Sequence, residues 1–159
     1  MTDPRVQSGC RDGHYVGALH LAIMTGPFLN LIISGIKTVE SRFHRQRRAP
    51  LHVAKPGHVI VFRQSGRPAS VAAVVSDAIY LDLEQVPIRQ VRERWAAAIA
   101  CDDDEFWVQR ADCRWASLLS LDGVCQLPAQ PLTKRDRHAW VYYPAGFGCS
   151  GSLLDLRDR

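Results

Sequence analysis

The segment Gly35-Ile36-Lys37-Thr38-Val39-Glu40-Ser41-Arg42 decides how the chain is read. Gly35 follows the apolar run Phe28, Leu29, Leu31, Ile32 and Ile33, and it ends a short helix there as a left-handed cap. Thr25-Gly26-Pro27 opens that helix, with Pro at its first position. Lys37 to Phe43 then reads as a strand. By alternation Thr38, Glu40 and Arg42 share one face, while Val39 and Phe43 point the other way, into a barrel. Glu40 and Arg42 are near enough to pair, and a paired Arg is a rigid fork for a phosphate or a base edge. Lys37 sits at the helix-to-strand junction, where alternation does not fix its direction. A Lys beside an Arg loses affinity for its proton and becomes a base or nucleophile; a Lys left charged is a phosphate contact. The competing reading is a Glu40–Arg42 ion pair that ties the strand to a neighbouring loop, with Lys37 in solvent.

Outward from this segment, Ala18 to Met24 is a first strand, and Gly57 to Gln64 and Ala69 to Leu81 form a hairpin across Ser65-Gly66-Arg67-Pro68. Ile88, Val91, Trp95 and Ile99 recur at helical steps and predict a helix over 87–100. A second short helix is expected over 103–113, where carboxylates at the start suit a helix N-terminus. Trp115 to Leu127 and His138 to Tyr143 return to strand character. The expected architecture is α+β: a small β-barrel of about five or six strands with two or three short helices. Residues 1–17 read as a flexible arm, 18–144 as the domain and 145–159 as a peripheral tail.

Lys and Arg number 20 against 16 Asp and Glu, a net charge of +4. The distribution is more informative than the sum. Residues 41–76 contain no acid but hold Arg42, Arg45, Arg47, Arg48, Lys55, Arg63 and Arg67. Residues 77–105 carry eight acids against three Arg. One basic and one acidic surface follow, and a basic surface concentrates polyanions, of which nucleic acid is the commonest. Arg45, Arg47 and Arg48 form the densest basic patch, either a phosphate-binding loop or a solvated one. Arg135 and Arg137 precede Trp140, Tyr142 and Tyr143 and are taken as surface contacts, with Trp140 in the core.

Five Cys at positions 10, 101, 113, 125 and 149 show no metal-ligand spacing and read as small hydrophobes of a reduced compartment. No metal and no cofactor is expected. No run approaches the ~18 apolar residues of a membrane span, and no apolar leader is visible near the start, so a cytoplasmic protein with no membrane partner is expected. There is no Gly-rich phosphate loop and no nucleophile elbow around Ser117 or Ser120.

The pattern G-x-K-x-x-E-x-R at 35–42 resembles the signature of the ASCH domain, within the PUA-like superfamily. Pro27-Phe28 before the short helix, the barrel hairpin, the helices and Ala139-Trp140 after basic residues follow the same order, so the resemblance covers about residues 18–144. It implies a compact PUA-like barrel with a cleft beside the motif, as in the related YTH and EVE domains. It also implies binding of RNA or another nucleic acid at the motif cleft of Lys37, Glu40 and Arg42, to which the charge pattern adds Arg45, Arg47, Arg48, Arg135 and Arg137 as backbone contacts. A small branch of the family consists of amidohydrolases that deacetylate acetylated cytidine, and some members are associated with nuclease activity. The alternative is therefore an enzyme on modified nucleosides or RNA, an amidohydrolase or ribonuclease, with Lys37 and Glu40 catalytic. The amidohydrolase branch carries Thr where this chain has Glu40. Thr38 lies about 7 Å away along the strand, a displacement that catalytic geometry does not forgive. Nucleic-acid binding is accordingly the reading favoured by sequence, and a partner surface at 82–105 is the third.

Overall fold

The computed structural model describes residues 18–130 and 137–144, and the backbone of Cys10–Arg11 and His14–Tyr15. Those two dipeptides, β1 and β2, pair antiparallel. The domain itself is built from β3 (Leu19–Met24), α1 (Phe28–Ile33), β4 (Val39–His44), β5 (Val59–Gln64), β6 (Ala69–Asp82), α2 (Ile88–Ile99), α3 (Asp104–Val108), β7 (Trp115–Gln130) and β8 (Trp140–Tyr143). Six strands form one curled sheet in the order β4-β7-β6-β5-β3-β8. Only β3 and β5 run parallel; the other neighbours are antiparallel. The expected α+β architecture, a small barrel with short helices, is thus observed as a curled six-stranded half-barrel.

The curl has a local cause. The long β6–β7 ladder shifts register between Ala69 and Val71, Ala72 and Val74, and Val75 and Asp77. Each such irregularity bends a strand and increases its twist. The sheet wraps around Ile60, Phe62, Ala73, Val75, Leu119 and Trp140, with Leu29 and Ile32 of α1 at one end. The opposite face of β3 and β5 is also buried, through Leu19, Leu21, Val59 and Val61. Burial on both faces is why 59–62 reads as a continuous apolar run without alternation.

The helices cover the other side of β4 and β7. Val91 and Ile99 of α2 and Trp107 of α3 pack on Val39 and Leu118, with Phe43 beside them. This corrects one expectation: Val39 and Phe43 face the helix layer, and Glu40 and Arg42 face the barrel. The register agrees, since Glu40 stands opposite Leu119, a barrel residue. Helix α3 is shorter than the expected span. The Asp103 side chain accepts from the Glu105 N–H at 3.3 Å, while Asp102 and Asp104 pair with Arg92 of α2. That acidic run is therefore engaged in capping and in helix-to-helix pairing. Among the described residues no helix is long and apolar enough to cross a membrane.

One polar chain runs through the barrel interior. His20 is fully buried on β3. Its Nδ1 accepts from the Trp140 indole at 3.1 Å, so its Nε2 carries the proton and faces His58 Nδ1 at 2.9 Å. The Tyr142 ring stacks on His20 with centroids 4.7 Å apart. Burial, then the neighbouring His58, push the His20 imidazole down from 6.5 to about 3. Between these values the unfolded chain holds the extra proton, so this stabilisation is complete above pH 6.5 and is lost as pH falls toward 3. From pH 7 to pH 5 this one group removes about 2 kcal/mol of stability. His20→Asn keeps an acceptor for Trp140 without titrating. Urea midpoints at the two pH values are expected to differ by correspondingly less in that variant.

Candidate nucleic-acid interface

The motif Lys is placed by two helix ends. Gly35, at φ +77°, turns the chain out of α1, and the Lys37 N–H then returns to Leu31 O at 2.9 Å. The next residue, Thr38, donates its N–H to Ala98 O at 2.9 Å, which brings the last turn of α2 against the start of β4. The Lys37 ammonium donates to Ile99 O at 3.1 Å and to Val39 O at 2.7 Å, and lies 3.4 Å from Glu40 Oε2. Helix C-termini leave carbonyls without partners and carry partial negative charge. Lys37 supplies donor and charge together. It is 3% exposed, so the solvated reading of Lys37 does not hold.

Burial pulls the Lys37 pKa down, and Glu40 beside it opposes that effect. The geometry favours the charged form, because three N–H groups meet three acceptors and a neutral amine would leave one unserved. The Phe28 ring lies 5.3 Å from Nζ and adds a favourable π-face.

Glu40 is equally buried, and it joins Lys37 to Arg42. Arg42 Nε donates to Glu40 Oε1 at 2.7 Å. Its Nη2 reaches Ile23 O at 3.1 Å and Met24 Sδ at 3.4 Å, at the end of β3. The ion pair does tie β4 to a neighbour, as the competing reading held, but the neighbour is a strand end and the pair lines a cleft. The Arg42 guanidinium also stands 5.2 Å from the Trp140 ring centroid. Its Nη1 has no partner among the described residues, so two N–H donors remain for a ligand.

A cavity of about 210 Å³ opens above this row. Lys37, Glu40 and Arg42 line it, with Phe28, Phe43, Phe106 and Arg110 among its walls. Arg110 lies 3.5 Å from the Phe106 ring centroid and donates to Phe106 O at 2.7 Å. Burial lowers its pKa, though far from any range where Arg loses its charge. A second cavity of about 270 Å³ adjoins, sharing Arg42 and His44 with the first and adding Arg48, Arg137, His138 and Trp140.

The other basic candidates divide. Arg48 and Arg137 join the second cavity. Arg45 pairs with Asp112 at the surface, and Arg47 lies 4.3 Å from the Trp115 ring; neither lines either of these cavities. Arg135 lies outside the described residues. Trp140 is buried as expected, yet one side of it borders the second cavity. Sequence reading missed His44, Phe106 and Arg110. Nothing local marks Phe106 and Arg110, which arrive from α3 and the turn after it. His44 follows Arg42 by two, so strand alternation puts both on the barrel face. Among the described residues there is no cluster of metal-ligating side chains.

Comparison with known proteins bears on the fold. The chain matches no protein-family model and no curated protein sequence. Among solved structures it is similar to the ASCH protein from Zymomonas mobilis, at 17% identity over 71% of this chain and 69% of that one, with a TM-score of 0.51. A Tyr-to-Phe variant of the same protein matches at 19% identity, over 66% of this chain and 70% of that one, again with a TM-score of 0.51. The chain therefore has the fold of these ASCH structures, a small barrel with short helices.

The buried row sets a stability prediction. Glu40→Gln leaves two cations around an uncharged amide, and breaking a buried ion pair from one side costs about 3 kcal/mol. Arg45→Ala, which removes an exposed pair, is expected to leave the urea midpoint unchanged within error. Equilibrium unfolding of the two variants beside wild type checks the contrast.

Proposed function

We propose that this chain binds RNA or another nucleic acid through the cleft beside its G-x-K-x-x-E-x-R motif. The observation that carries the reading is the first cavity itself. A small slot with Phe28, Phe43 and Phe106 in its walls has Glu40, Arg42 and Arg110 at its polar edge. Unstacked bases are recognised by aromatic faces together with hydrogen-bonding groups that meet their edges. Glu40 accepts, Arg42 and Arg110 donate, and Lys37 holds Glu40 in place. The volume suits one planar ring system, so the unit recognised is a single base turned out of a strand. Arg48 and Arg137, which line the adjoining cavity, supply backbone contacts.

An enzyme on RNA or a modified nucleoside is the second reading. The observation that favours it is Lys37, a buried amine lining the cavity with its pKa lowered. To act as base or nucleophile it would have to release Val39 O, Ile99 O and Glu40 while losing a proton. That requirement places the enzyme reading behind binding.

Fluorescence anisotropy of a labelled single-stranded RNA tests both. Binding is expected to weaken linearly in log salt. Arg110→Gln is expected to weaken it about tenfold, some 1.4 kcal/mol, while Arg89→Ala on the exposed surface of α2 leaves it unchanged. Intact RNA on a gel afterwards accords with binding alone. RNA cut by wild type but not by a Glu40→Gln variant shown by its circular dichroism to be folded at the assay temperature would establish the enzyme reading, and absence of binding at low salt would overturn the first.

A further inference from the structure

The second cavity is not needed to hold a base, and its chemistry differs from that of the first. Three guanidinium groups, Arg42, Arg48 and Arg137, and two imidazoles, His44 and His138, surround about 270 Å³, and among the described residues no carboxylate lines it. Arg42 is neutralised by Glu40. Neither Arg48 nor Arg137 makes an ion pair with a described residue, in contrast to Arg45, Arg92 and Arg114, which all do. Gathering like charge around one space raises its positive potential and draws an anion into it.

The floor of this cavity is rigid. Trp140 lies beneath the Arg42 guanidinium and is fixed from behind by its hydrogen bond to His20, deep in the barrel. His44 stands on the wall common to both cavities. Its Nδ1 is buried and has no hydrogen-bond partner among the described residues. Burial, Arg48 and Arg42 push its pKa down to about 4, so at neutral pH it is an uncharged hydrogen-bonding group beside the guanidinium forks.

Building on the base-binding reading of the first cavity, we propose that the second is a phosphate subsite, so that the unit recognised is a nucleotide and not a nucleoside. Arg48 and Arg137 form the clamp on the phosphate oxygens. Arg42 stands at the junction, with Nε committed to Glu40, Nη2 to Ile23 O, and Nη1 without a partner among the described residues. Planar guanidinium forks suit phosphate oxygens in pairs, which a lysine in the same place would not do. The phosphate belongs either to a free mononucleotide or to the backbone of a chain, and the two sources separate by experiment.

Isothermal titration calorimetry with the four ribonucleosides and their 5′- and 3′-monophosphates forms the first arm, and anisotropy with single-stranded RNA forms the second. Both are run on wild type and on Arg48→Ala/Arg137→Ala, whose changes leave the buried row intact. A monophosphate that binds at least tenfold tighter than its nucleoside, with the gain erased in the double variant, assigns the subsite to a free nucleotide. Unchanged small-ligand binding, with RNA affinity falling about tenfold and the salt slope flattening by about 0.7 for each phosphate no longer neutralised, assigns it to a chain. Nucleosides that bind as well as their monophosphates, with RNA affinity untouched in the double variant, overturn the subsite and leave the base slot standing. Failure of wild type to bind RNA or any small ligand overturns both.

Discussion

The Glu40 carboxylate, held between Lys37 and Arg42, is the constraint on which this molecule depends. It sits in a nearly dry position, where a lone carboxylate would be costly, and it is tolerable because a cation approaches each oxygen. Each cation in turn has a structural duty. Lys37 closes the C-terminus of α2 through Ile99 O, while its backbone N–H closes α1. Arg42 joins β4 to the end of β3 through Ile23 O. Three residues of one short segment thus lock two helices and two strands around a single charge. The cleft is the open side of that lock, and its shape follows from contacts that also hold the fold.

This dual duty explains why the motif residues differ in what they can offer a ligand. Lys37 spends its three N–H groups on the protein, so its contribution to the cleft is electrostatic and positional. Arg42 has five donors and uses three on described residues, with none of these at Nη1. Arg110 brings charge to the slot from a different element, stacked on Phe106. Arg48 and Arg137 bring charge to the adjoining cavity from two loops that are distant in sequence.

Much of the fold was legible because local physics and tertiary packing agree. The apolar run at 59–62, the turn at Gly66 and the long strand after it announce a hairpin. The recurrence of Val91, Trp95 and Ile99 announces α2. The motif named three residues that the fold brings to one cavity, but it suggested the wrong direction, since strand alternation separates two faces without saying which one meets the barrel. The helices settled that by covering Val39 and Phe43. Burial of Lys37 was hidden for a related reason: its partner is a carbonyl at the end of a helix sixty-two residues away. Charge density was a partial guide to the site. It marked Arg45, Arg47 and Arg48 alike, yet Asp112 takes the first and Trp115 the second, and only Arg48 reaches the cleft cavities. Phe106, Arg110 and the role of His44 as a shared wall arise from packing between elements, which no local pattern encodes.

The most direct measurement of where the ligand sits is a two-dimensional ¹⁵N–¹H spectrum of the labelled protein titrated with a short single-stranded RNA. The account predicts that the resonances that move cluster on residues 40–44, 106–110 and 137–140, with the Arg42 side-chain Nε–H among them. Movement concentrated instead around Gly26, Gln64 and Arg67, where a separate and larger hollow lies, or spread evenly over the basic surface, would contradict it.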